Sequence, residues 1–172
     1  MKDNVKVSVG FGLAGLVGGA LSSGGTFLGL GLFGALCGIV LGLLARNRRV
    51  ALVAAVIGAV AFMAGGALAF LIGMAAGFAL GAPDWYDVVL PAFMGACAGI
   101  VGGLGLVGAN HSAGHKWRSA VGLAVGFAVA ALINQIWLLD ALPGHTAQAT
   151  VPLSLWGVLG GVGFSLLNRS SE

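Results

Sequence analysis

All eight basic residues of this 172-residue chain fall at one set of ends of its apolar runs, and none falls at the other set. Lys2 and Lys6 precede the first run, and Arg46, Arg48 and Arg49 separate the second from the third. Lys116 and Arg118 separate the fourth from the fifth, and Arg169 follows the last. The alternate gaps hold Asp84, Asp87 and Asp140 and no cation. Short loops carrying Lys and Arg stay on the cytoplasmic side, because translocating them is penalised. The pattern therefore predicts six transmembrane helices in the cytoplasmic (inner) membrane, with both termini cytoplasmic.

Composition supports the same class. The chain is 59% hydrophobic and 8% charged, whereas soluble domains carry about 25% charged residues. Residues 1–172 read as a single polytopic domain of an all-α integral membrane protein, with spans near 6–22, 26–45, 50–80, 88–108, 118–139 and 151–167. A crossing takes about 20 apolar residues. The first span is short for that, and the third is so long that it must tilt, project, or bend near Gly65-Gly66. Ser22-Ser23-Gly24-Gly25 reads as a tight turn and 140–150 as a longer loop. Pro91 and Pro152 read as first-turn residues of their helices. Trp85, Trp137 and Trp156 fall near one membrane boundary and Trp117 near the other, where amphipathic rings prefer to sit. The cations are topological and face anionic lipid; nothing suggests nucleic acid.

A repeat runs through the chain. Residues 30–44 (LGLFGALCGIVLGLL), 90–104 (LPAFMGACAGIVGGL) and 152–167 (PLSLWGVLGGVGFSLL) align Gly34 with Gly95 and Gly157, and Gly38 with Gly99 and Gly161. The spacings are 61 and 62 residues for the first set. Three tandem helical hairpins, all inserted the same way, are the expected arrangement. In lipid there is little hydrophobic drive between helices, so glycines four apart serve close helix contact. A Gly-rich, tightly packed bundle is expected, with these six glycines as helix-packing positions. The alternative is a glycine face offered to another copy, another subunit, or a flat cofactor such as a quinone or pigment.

Residues that carry chemistry are sparse. No ionisable side chain lies inside a predicted span, which argues against proton relays, ion-coupled transport and intramembrane hydrolysis. Asn134 and Gln135 are the two carboxamides well within a span; they predict an interhelical hydrogen bond or a polar pocket. His111 and His115 have i, i+4 spacing but no neighbouring ligand to complete a metal shell. Cys37 and Cys97 occupy neighbouring repeat positions and read as packing residues. The proline–acidic–basic motif of mitochondrial carriers, which also use three hairpins, is absent: Pro91 is followed by Ala92 and Phe93.

The functional expectation is a non-enzymatic membrane subunit, a scaffold or accessory that packs against other membrane subunits or as a homo-oligomer within the lipid bilayer. The competing expectation is a passive channel or carrier for a small neutral or apolar solute. No metal and no specific cofactor is indicated; bound lipid, quinone or pigment is compatible with the glycine faces.

Overall fold

The computed structural model describes residues 2–21, 26–81, 86–109, 116–138 and 145–168. These form α1 (Lys2–Leu21), α2 (Thr26–Leu44), α3 (Arg48–Leu80), α4 (Tyr86–Ala109), α5 (Lys116–Ile133) and α6 (His145–Asn168). A π-helical turn, Asn134–Leu138, continues α5. There is no strand among the described residues. Four stretches are long and apolar enough to span a membrane: Phe27–Leu44, Arg48–Leu80, Val89–Ala109 and Trp117–Ile136. Val5–Leu21 and Val151–Leu167 are shorter apolar helices.

Local chemistry sets several helix ends. Asn47 caps α3: its side chain accepts from the backbone N–H of Arg49 at 3.0 Å and of Val50 at 3.2 Å, satisfying donors that a helix start leaves orphaned. Arg46 takes a left-handed φ of 52°, which closes α2, and the N–H of Asn47 returns to the Gly42 carbonyl at 3.1 Å. At the far end of α3, Gly81 adopts φ 71° and donates to the Gly77 carbonyl. Glycine takes this conformation without a Cβ clash.

Two expectations are corrected. Residues 145–150 are helical rather than part of a long loop, because α6 starts at His145. Consequently Pro152 lies inside α6, and Pro91 lies inside α4; neither is a first-turn residue. A mid-helix proline survives when the carbonyl four residues earlier forgoes its helical donor. The long third segment is one continuous helix through Gly65-Gly66. Both glycines are held by neighbours, Gly65 against Ala98 and Val101 and Gly66 against Leu30.

Successive helices pack antiparallel, and α6 packs back against α1, so the six close into a ring. The register is direct in α2 and α3, where Gly42, Gly38 and Gly34 face Ala51, Ala54 and Gly58 in turn. Arg46, Arg48, Arg49 and Arg118 consequently share one end, the basic end. The ring interior is filled by Phe11, Phe33, Cys37, Phe62, Leu106, Leu123 and Phe127, all fully buried. Three of these rings form a triangle. Phe33 and Phe62 have centroids 5.2 Å apart, Phe33 and Phe127 5.6 Å, and Phe62 and Phe127 5.7 Å. Aromatic pairs at such distances contribute about 0.5–1.5 kcal/mol each beyond the area they bury. Gly102 makes room for the triangle: a Cβ there would lie 2.5 Å from the Phe62 ring.

Candidate functional site

The six aligned glycines sit against main chain of neighbouring helices. A Cβ on Gly34 would meet the Gly58 carbonyl and the Phe62 ring, and one on Gly38 would meet the Ala54 carbonyl. On Gly95 it would lie 2.9 Å from the Phe127 carbonyl oxygen, and on Gly99 2.5 Å from the Ala124 Cα. On Gly157 it would meet the main chain of Phe11 and Gly12, and on Gly161 it would lie 2.7 Å from the Ser8 Cα. The relation is the same three times: α2 onto α3, α4 onto α5, and α6 onto α1. In terms of the predicted hairpins, these glycines lie at the seams between hairpins. They face the same chain.

The polar residues gather away from the basic end. Asn134 and Gln135 are half-buried and open the π turn. Asn134 lies on the face of α5 that carries Phe127, Ala130 and Ala131, all buried, since positions three, four and seven apart share one helix face. Its Oδ1 is buried and has no hydrogen-bond partner among the described residues. The same is true of Trp156 Nε1. The Trp156 ring packs on Phe127, with centroids 5.2 Å apart and planes 32° apart. Nearer the basic end, Ser119 Oγ is buried without a partner among the described residues, while Ser165 Oγ donates to the Gly161 carbonyl at 2.7 Å.

The other sequence candidates carry less. His111 and His115, the turn 22–25 and Trp85 lie outside the described residues, as do the side chains of Trp137 and His145. Cys37 is buried and Cys97 half-buried, both as free thiols. Among the described residues, no three His, Cys, Asp or Glu side chains cluster to hold a metal.

The outer flank of α3 was not singled out in the sequence. Phe70 meets Phe27 of α2 edge-on, with centroids 6.0 Å apart. Beyond that contact α3 runs on to Leu80, accompanied by the start of α4. There Leu90 packs over Gly73 and Tyr86 over Gly77, and the Tyr86 hydroxyl donates to the Gly73 carbonyl. The rest of this extension is bare: Leu71 is 65% exposed and Phe78 83%. Two apolar grooves flank α3. One, of about 360 Å³, is lined by Phe27, Val60, Met63, Ala64 and Ala67. The other, of about 200 Å³, lies between Ile72, Ala76 and Leu80 of α3 and Tyr86, Val89 and Phe93 of α4.

The class these features define is an all-helical bundle, several of whose helices are long and apolar enough to cross a membrane. No family model matches the chain, and neither a curated protein nor a solved structure matches it.

Proposed function

We propose that the chain is a non-enzymatic integral membrane subunit that docks onto another membrane protein or onto a second copy of itself, using the outer part of α3. The carrying observation is the apolar extension beyond Phe70, with Phe78 at 83% exposure. At 1.5 Å per residue, the 33 residues of α3 measure about 50 Å, against about 30 Å of hydrocarbon in a bilayer. Large apolar side chains that outrun the hydrocarbon need another apolar surface. Small residues along the same helix, Ala64 and Ala67 before Phe70 and Ala76 beyond it, line grooves suited to a neighbouring helix, which in lipid associates through close packing. The basic residues hold the basic end, and with it both termini, in the cytoplasm. The glycine seams serve the fold of the chain itself, which leaves α3 as the docking face.

Gentle extraction from the native membrane, followed by native mass measurement, tests the proposal. Stoichiometric foreign subunits or a homo-oligomer is expected. A companionless monomer that moves solute in liposomes overturns it.

The second reading, a passive channel or carrier for a small neutral solute, draws on the partnerless Asn134 and Trp156 atoms. Against it stands the triangle of Phe33, Phe62 and Phe127 inside the ring. A path along the axis requires those rings to move.

A further inference from the structure

The tight turn from α2 into α3 places Arg46, Arg48 and Arg49 within four residues, all exposed and with no acidic residue among them. The turn is held by the Asn47 side chain and by main chain, not by the arginine side chains. A dense cationic turn at a membrane surface attracts anionic headgroups.

Arg49 also opens one continuous face of α3. Residues 49, 53, 56, 60, 64 and 67 follow steps of three or four, which keep side chains on one side of a helix. Val53, Val56 and Val60 on this face are each at least half exposed. The face then sinks into the groove of about 360 Å³ lined by Phe27, Val60, Met63, Ala64 and Ala67.

The spacing of charge and groove suits one kind of molecule. Val60 lies eleven residues beyond Arg49, or about 16 Å at 1.5 Å per residue. One leaflet takes half of the roughly 30 Å of bilayer hydrocarbon. Side chains of a helix lean towards its N-terminus, which carries the Arg49 guanidinium outward to headgroup level. The groove therefore sits where an acyl chain ends whose headgroup lies at the arginines.

We propose that an anionic phospholipid binds along this face. Its phosphate lies against Arg49, with Arg46 and Arg48 adding charge on either side of Asn47. One acyl chain runs over Val53 and Val56 and ends in the groove at Ala64 and Ala67. A zwitterionic lipid brings a cation that the arginines repel, and a soluble phosphate makes no use of the groove. The site rests on the membrane-spanning reading and not on docking. It leaves the part of α3 beyond Phe70 to a partner.

The full chain in mild detergent, titrated with phosphatidylglycerol or phosphatidylcholine of the same acyl chains, provides the test. Bound lipids are counted by native mass spectrometry. A single phosphatidylglycerol is expected to be held about tenfold more tightly than phosphatidylcholine. Arg49→Gln should weaken it about fivefold, the size expected for one arginine at an anionic surface. Arg118→Gln, the same charge change at the same end, should leave it unchanged. Ala64→Phe fills the groove, and loss of the retained lipid is expected. All three positions are exposed, so the variants are expected to fold, and far-UV circular dichroism checks this. Equal retention of the two lipids overturns the site, as do equal losses in Arg49→Gln and Arg118→Gln or full retention in Ala64→Phe. Displacement by glycerol phosphate at matched concentration would make a soluble phosphate ester the ligand and overturns it too. Phe78→Ser, on the docking extension, should leave the lipid count unchanged, so the two proposals fail separately.

Discussion

The hydroxyl of Tyr86, in the first turn of α4, donates to the main-chain carbonyl of Gly73, well back along α3. The ring reaches it by lying over Gly77, where a Cβ would sit 2.7 Å from the hydroxyl oxygen. One side chain thus staples the outer ends of α3 and α4 together. Tyr86→Phe keeps the ring and removes the bond, and is expected to cost about 1 kcal/mol. Hydrogen exchange should show it as faster exchange confined to residues 70–81, with the rest of α3 unchanged.

The extension held by that staple is where docking is expected. Phe78→Ser removes its most exposed apolar side chain. The companion subunit, or the second copy, should be lost from gently purified material while the melting temperature of the isolated chain stays the same. Retained stoichiometry in native mass spectra would place the interface elsewhere.

Glycines at the seams and glycines off them should respond in opposite directions. In Gly99→Ala the new Cβ arrives 2.5 Å from the Ala124 Cα. Backbone must move, with an expected loss of about 1–3 kcal/mol. In Gly108→Ala nothing lies within 4 Å, and the helix gains about 0.5–1 kcal/mol from reduced backbone freedom. Thermal melts of the two variants side by side decide the matter.

Phe127 touches Phe33, Phe62 and Trp156. Phe127→Ala should destabilise by about 3–5 kcal/mol through the cavity it leaves. Phe127→Leu should do less harm. Equal losses in equilibrium unfolding would show that the ring contacts, rather than side-chain volume, carry the stability at this position.

Topology has a direct check. Single cysteines in a Cys37→Ala, Cys97→Ala background, placed at Arg46 and at Gly81, should label from opposite sides of sealed vesicles. Arg46→Cys is expected to be cytoplasmic, in keeping with the positive-inside bias.

The ends of most helices were legible because apolar run length and flanking charge both mark them. The start of α6 was not. His145 to Thr150 is a mixed polar stretch, and Pro152 after it resembles a helix opening; only the structure shows that α6 begins at His145. Repeat alignment located the seam glycines but not what they face. The helices are apolar nearly all round, so no polar stripe distinguishes the inward side. For the same reason the triangle of Phe33, Phe62 and Phe127, and the inward turn of Trp156, become visible only once the ring is closed. Asn134 was legible as a rare carboxamide; its partnerless oxygen and the π turn that carries it were not.

The contact of α1 with α6 sets an order on biogenesis. Of these six helices α1 is made before the others and α6 after them, so the α6–α1 seam stays open until α6 has been made. Until then Gly12 and Gly15 present a bare helix face to whatever shares the insertion site. The same closure brings Lys2 and Asn168 to one side of the bundle. A permuted gene that joins α6 to α1 and begins between α3 and α4 would turn the last seam formed into one of the first.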